Sequence, residues 1–180
     1  MNNMIDFSRG ENFSRIPYSV YHDADVYANE QALIFRGKSW NFLCLEAEIP
    51  NPGDFRVVSV GETPVVVQRR KDSSLAGFEN RCAHRGATVR RENHGNADSH
   101  ICVYHRWSYD ESGALTGVPF KRGVEGHGGM PGGFDNKQHG LKALRVESVS
   151  GAIFGTFHHG MEPVTAWQDA SATVKQLIGR

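Results

Sequence analysis

With 180 residues and 20.0 kDa, the chain is one domain in size, long enough to bury roughly 70% of its unfolded surface without disulfide staples. Twenty Lys and Arg balance twenty Asp and Glu, and the pI is near 7.1, so the charge points to neither nucleic acid nor an anionic membrane as partner. No apolar run exceeds four residues, which excludes a transmembrane helix, and three cysteines are an odd number for a disulfide framework. The start, MNNMIDFSRGENFSRIP, lacks the basic-then-apolar layout of a signal peptide, so the expected location is cytoplasmic.

In chain order, DADVYANEQALIFRG (23–37) has capping aspartates, strong helix formers and a closing Gly37, and predicts one helix. From Ser39 onward the texture changes. WNFLCL, DFRVVSV, TPVVVQRR and LAGFEN are short runs of β-branched and aromatic residues, divided by Pro-Gly, Gly-Glu and Asp-Ser-Ser turn signals; LTGVPF, LKALRV and GAIFGTF repeat the pattern further on. Strands this short must share a core between sheets, so the expected fold is mainly all-β, of packed antiparallel sheets. The tail PVTAWQDASATVKQLIGR is polar and helix-tolerant. The expected division is an N-terminal arm and helix over 1–38, a β domain over 39–160 and a short helical tail over 161–180.

Between the strands lie NRCAHRGATVR (80–90) and ICVYHRW (101–107). Together they write Cys82-x-His84, seventeen residues, then Cys102-x-x-His105. Four soft or borderline donors suit zinc or an iron–sulfur cluster. A zinc finger usually pairs cysteine with cysteine and histidine with histidine, whereas each half here is mixed. Mixing makes sense if the ligands divide between two metal ions, thiolates on one and imidazoles on the other, which is the ligand set of a Rieske centre.

The chain also resembles a family. C-x-H-R-G, seventeen residues, then C-x-Y-H-x-W is similar to the Rieske motif in the large subunits of aromatic-ring-hydroxylating dioxygenases. The likeness extends to SRIPYSVY, WNFLCLEAEIPNPGDF, GETPVVV, LTGVPFKRGV and GGMPGGFD, so it runs from about Ser14 to about Phe157. Within that family it is most similar to the terephthalate, salicylate and anthranilate oxygenase large subunits. The resemblance implies a Rieske-type fold with two cluster-binding loops, and a 2Fe–2S cluster on Cys82, His84, Cys102 and His105. It also implies a ferredoxin or NAD(P)H-dependent reductase as donor, and neighbouring subunits of a trimer as recipients. In such enzymes the electron goes on to a mononuclear Fe(II) in a catalytic domain, through a bridging aspartate touched by the histidine that His105 matches.

After His105 the chain offers only His127, His139, His158 and His159, none in the D-x-Y-H context that supplies the family's mononuclear iron. The expectation is therefore a chain that moves electrons but does not itself hydroxylate, with the catalytic domain missing. A stand-alone Rieske-type ferredoxin is the alternative. Where respiratory Rieske proteins carry a bracing disulfide, this chain has Ala87 and Tyr104; where they place a serine that bonds to cluster sulfide, it has Trp107.

The remaining motifs read as structure. Cys44 in its apolar run is a small buried hydrophobe, GVEGHGGMPGGF is a mobile surface loop, and His158-His159 is a solvated strand end. Arg85-Gly86 allows backbone N–H groups close approach to the cluster, while Tyr104 and Trp107 shield it. QRRKDSS reads first as a solvated turn; the alternative is a basic collar, with Arg81, Arg85, Arg90 and Arg91, for an acidic ferredoxin.

Overall fold

The structure, a computed structural model, describes residues 18–166; the arm before Tyr18 and the tail beyond Ala166 lie outside them. Asp23 caps the first helix, its Oδ1 accepting from the N–H groups of Asp25 at 2.9 Å and Val26 at 3.1 Å. The helix α1 (Ala24–Glu30) then widens into a π-helical turn, Gln31–Phe35. The single helix expected over 23–37 is thus divided, for a reason visible in its contacts. Gln31 Oε1 accepts from Glu62 N–H at 2.9 Å, while Arg36 donates to Thr63 Oγ1 at 2.8 Å and to the buried Glu79 carboxylate at 2.9 Å. Residues five apart diverge on an α-helix but nearly align in an i→i+5 turn, so the widening lets both side chains face the sheet. The chain must leave at Gly37, where a Cβ would lie 1.8 Å from Leu33 O.

Ten strands follow. A curled seven-stranded antiparallel sheet has the order β1-β10-β9-β4-β3-β2-β5. Its members are β1 (Asn41–Leu45), β2 (Asp54–Val60), β3 (Thr63–Arg69), β4 (Leu75–Glu79), β5 (His94–Asn96), β9 (Ala143–Val149) and β10 (Ala152–Thr156). A small sheet, β6-β7-β8, is built from Ser99–Ile101, Ser108–Asp110 and Leu115–Gly117. All seven predicted runs form strands, although only Leu115–Gly117 of LTGVPF does. The three-residue strands β5, β6 and β7 were not predicted, since three residues are too few to show a period. Of the expected helical tail, Val164–Ala166 is a 3₁₀ turn and the rest lies outside the described residues. Among those residues no helix is long and apolar enough to cross a membrane.

Strand β3 explains the layout. Val65, Val66 and Val67 are all fully buried, because the strand is covered on both faces. Val65 and Val67 join Leu43, Cys44, Ile49, Leu144 and Ile153 in one core. Val66 points the other way, into a core with Phe55, Phe78, Cys82, Cys102, Trp107 and Tyr109. Each buried valine contributes about 1.5–3 kcal/mol. The second core is where the small sheet meets the large one.

A buried polar column also ties them. Gln68, next on the same face of β3 as Val66, donates through Nε2 to Gly53 O at 3.1 Å and Ala97 O at 2.6 Å. Its Oε1 accepts from Nε2–H of His100, on β6, at 2.6 Å, and Arg90 Nε donates to His100 Nδ1 at 2.7 Å. Burial, and then the Arg90 charge, pull the His100 pKa down to about 4. The unfolded chain binds this proton more readily, so the stability is full above the ordinary histidine range and is lost as pH falls toward about 4.

Cys44 on β1 is 1% exposed, and burial, with the Glu48 carboxylate, pushes its thiol up to about 12. Only the thiolate is nucleophilic. Native protein treated with iodoacetamide from pH 7 to about 10 should leave Cys44 unmodified in peptide mass maps, with labelling appearing only after denaturation. Labelling in the native state at pH 8 would contradict this burial.

Candidate metal centre

The two cysteine–histidine segments occupy two loops from different sheets. Loop 1 (residues 80–93) leaves β4 of the large sheet, and loop 2 (residues 102–107) joins β6 to β7 of the small one. Their backbones close in the same way. Cys82 N–H donates to Ala87 O and Gly86 N–H to Cys82 O, both at 2.8 Å; Cys102 N–H donates to Trp107 O and Arg106 N–H to Cys102 O, both at 2.9 Å. In each loop the fifth residue is left-handed, Gly86 at φ 71° and Arg106 at φ 56°. Glycine takes that angle without strain, whereas Arg106 adopts it with a Cβ.

The closures bring the four predicted residues together as two pairs. Cys82 and Cys102 are free, buried thiols, 4% and 1% exposed, in the same core cluster and near enough that Cys102 raises the Cys82 pKa. His84 and His105 lie 4.6 Å apart between ring centroids at 70°. His84 Nδ1 is buried with no hydrogen-bond partner, an orphan acceptor of the kind a metal satisfies. Among the described residues no three His, Cys, Asp or Glu side chains converge as ligands of a single ion. Thiol with thiol and imidazole with imidazole is instead the donor arrangement that a two-iron cluster divides between its irons. The residues fit that group.

Electrostatics suit the same role. Burial pushes the Cys82 thiol up, while the Tyr109 hydroxyl pulls it back down; loss of its proton is thus coupled to metal binding. Burial, then His105 and Arg85, hold the His84 pKa down, which keeps the imidazole neutral, as ligation requires.

Tyr109, absent from the sequence-based candidates, is the main addition. Its Oη accepts from Ala83 N–H at 3.1 Å, leaving its own hydrogen to donate to Cys82 Sγ at 3.1 Å. Its signal was the alternation of β7, in which Tyr109 alone points fully inward, and a buried hydroxyl demands a partner. Asn80 is a second addition. Its Oδ1 accepts from Val89 N–H and Arg90 N–H, and its Nδ2 donates to Arg90 O at 2.8 Å, so one amide pins both ends of loop 1.

The aromatic neighbours divide. Trp107 is buried and stacks on His84, with centroids 4.8 Å apart at 9°, as a shield should. Tyr104 covers one face of His105 at 3.9 Å but is itself 58% exposed, so it leaves that side open. The glycine-rich segment is no free loop. Met130 N–H donates to Lys121 O at 2.9 Å, Met130 and Phe134 pack against the core that holds both cysteines, and Phe134 meets Trp107 edge-on at 5.7 Å.

The basic collar is smaller than expected. Arg69 pairs with Glu46, Arg70 with Asp72 and Glu111, and Lys71 with Asp98. Arg90 is taken up by His100 and by the Phe55 ring at 4.7 Å. What remains exposed is Arg81, Arg85 and Arg91, joined by Arg106, which was not counted. His159 is an exposed strand end, its Nε2 bonded to Ala143 O at 3.1 Å.

Comparison with known proteins agrees with this geometry. Residues 39–128 match the Rieske [2Fe-2S] domain. The anthranilate 1,2-dioxygenase large subunit of Burkholderia cepacia is 57% identical over 151 residues, 84% of this chain and 36% of that protein. The terephthalate 1,2-dioxygenase terminal oxygenase component subunit alpha 2 of Comamonas sp. is 51% identical over 82% of this chain and 36% of its own length. The large oxygenase component of salicylate 5-hydroxylase from Ralstonia sp. is 45% identical over 86% of this chain and 37% of its own length. Naphthalene 1,2-dioxygenase with indole bound superposes with a TM-score of 0.78 at 33% identity, over 88% of this chain and 34% of that one. The chain thus spans about a third of the length of these relatives. Two closed loops with paired thiols and paired imidazoles, in a fold shared with those oxygenases, accompany the family match, and the chain belongs to the Rieske [2Fe-2S] domain family, with similarity to the large subunits of aromatic-ring dioxygenases.

Proposed function

We propose that the chain is the electron-transfer part of a cytoplasmic ring-hydroxylating oxygenase acting on an aromatic carboxylic acid, with residues 39–160 as its cluster domain. In this reading Cys82 and Cys102 hold one iron and His84 and His105 the other. The observation that carries it is the pairing of like donors around the orphaned His84 Nδ1. When bound, the cluster supplies a store for one electron. The chain's own residues do the rest. Tyr109 donates to the Cys82 sulfur and stabilises negative charge there; Trp107 and Phe134 exclude water from the buried side; Asn80 fixes loop 1. His105, half-buried beneath an exposed Tyr104, is the outlet toward a mononuclear iron held elsewhere. The substrate class is supported by the relatives, whose names specify anthranilate, terephthalate and salicylate. A ferredoxin or reductase is the donor, and neighbouring oxygenase subunits are the recipients.

The ligand set has a direct test. Purified wild-type protein should be reddish-brown with two irons and two acid-labile sulfides per chain. Cys82→Ala and His105→Ala should each lose the colour and most of the iron, and should unfold earlier, because assembly organises both loops. Full iron and colour in either variant would remove that residue from the set.

The redox potential has a second. Every donor aimed at cluster or ligand sulfur favours the reduced state, which carries more negative charge. Trp107 cannot repeat the serine bond of the respiratory proteins, so the midpoint should lie in the lower half of the Rieske range, nearer about −150 mV than about +300 mV. Tyr109 supplies one hydroxyl bond to the Cys82 sulfur. Tyr109→Phe should therefore lower the midpoint further, by about 50 mV, the equivalent of about 1 kcal/mol. Redox titration followed by circular dichroism reads both. A midpoint unchanged in the variant would separate Tyr109 from the potential.

A further inference from the structure

The N-terminal helical segment is held to the sheet by polar contacts more than by burial. No residue of α1 or of the π-helical turn, Ala24–Phe35, is buried. Leu33 and Ile34 are exposed, and among the described residues of the segment Phe35 alone packs against a core. Apolar burial therefore does little to keep it in place. Tyr27 Oη donates to the Glu62 carboxylate at 3.0 Å, Gln31 Oε1 accepts from Glu62 N–H, and Arg36 donates to Thr63 and Glu79. A segment with few buried apolar contacts opens at a small fraction of the cost of global unfolding.

One of these contacts reaches a charge near the thiols. The Glu79 side chain is 7% exposed, and Arg36 meets it at 2.9 Å. The other cation beside it, Lys142 at 3.9 Å, is 78% exposed and so is screened by water. Arg36, lying over the Phe157 ring at 4.4 Å, is thus the main counter-charge of a buried carboxylate. Buried ion pairs add little net stability over apolar packing, so anchoring the segment does not by itself call for a carboxylate here. Its position does. Glu79 ends β4 three residues before Cys82, so the two backbones are at most about 11 Å apart. Gly77, Phe78 and Glu79 are all buried, and the charge acts through protein rather than bulk water. With Arg36 docked that charge is offset; with the segment lifted it stands uncompensated.

We propose that docking of the N-terminal helical segment is coupled through Arg36 to the redox state of the site. This rests on the reading of the site as a one-electron relay: reduction adds one electron, and so one negative charge, and no bond is made or broken at Arg36 or Glu79. A docked Arg36 then answers a second negative charge besides Glu79, so the segment holds more tightly in the reduced state and loosens in the oxidised one. The Arg36 side chain is partly exposed, which sets the effective dielectric constant between about 20 and about 80; at about 10 Å this makes the docking equilibrium about fivefold tighter on reduction. Coupling is reciprocal, so docking favours the reduced state by the same factor. Arg36 is a positioning residue that tunes the site without touching it.

The experiment follows backbone hydrogen exchange of the full chain by mass spectrometry, in air-oxidised protein and in protein reduced with dithionite. Amides of residues 24–36 should exchange about fivefold more slowly in the reduced state, while those of β10 should not change. Arg36→Gln should abolish the difference and Arg36→Lys should keep most of it, a rescue by charge that a merely structural role would not show. Arg36→Gln should also lower the midpoint by the same factor, which for one electron is about 40 mV. Should Arg36→Gln fail to fold, wild type and Arg36→Lys still decide, because both must show the slowing. A coloured wild type that bleaches with dithionite yet exchanges equally in both states overturns the coupling and leaves the relay standing. So does a coloured Arg36→Gln protein that keeps the difference. A colourless wild type overturns both.

Discussion

Everything at the site depends on two sheets being held face to face, because neither sheet carries a complete set of donors. One thiol and one imidazole arrive on loop 1 from the seven-stranded sheet, and one of each arrives on loop 2 from the three-stranded sheet. No named strand of one sheet pairs with a strand of the other, so the docking is done by side chains. Tyr109 spans the gap at the sulfur, bonded to Cys82 Sγ and Ala83 N–H. The column Gln68–His100–Arg90 spans it deeper down. Around these bonds Val66, Phe55, Phe78 and Leu115 supply the apolar burial. Dispersion and burial can bring two sheets together in many registers; a hydroxyl that must meet one sulfur, and an imidazole that must meet one amide, select a single register.

The same arrangement explains why the ligands come as mixed pairs in sequence and as like pairs in space. Each loop closes on its cysteine amide and carbonyl, which fixes the thiol at the mouth of a small backbone ring and throws the histidine outward. Two such loops facing one another put thiol against thiol and imidazole against imidazole. The extra residue in C-x-x-H is absorbed within the ring, since both closures run from a cysteine to the residue five positions on.

The sequence carried the strands and the candidate ligands well, for different reasons. Strands β2, β3, β9 and β10 hold five to seven residues, enough for β-branched enrichment and turn signals to register. The four ligand candidates are chemically unusual residues at unusual spacing. What escaped was set by tertiary partners. Strands β5, β6 and β7 have three residues each and exist because the loops they anchor are closed. The π-helical turn is imposed by Gln31 and Arg36 reaching the same sheet. Tyr109, Asn80 and Gln68 look like an ordinary aromatic and two ordinary amides until their burial is known. The collar was overcounted because charge in a sequence shows only sign, whereas Glu46, Asp72, Asp98 and Glu111 decide which cations remain free.

Burial also gives the site a direction. The thiol end is closed, with Cys82 and Cys102 at 4% and 1% exposure, Tyr109 at zero and Trp107 at 3%. The imidazole end is open, with His84 and His105 half-buried and Tyr104 and Val103 facing solvent. Charge placed at the buried end meets a low dielectric and one hydroxyl donor; charge at the open end meets water and exposed arginines. Under the proposed reading, the exit toward a second iron therefore lies on the histidine face, where His105 is half-buried beneath an exposed Tyr104. An exposed centre of Val103 and Tyr104 at that end offers apolar area of the kind a protein partner buries, whereas the closed thiol end offers none.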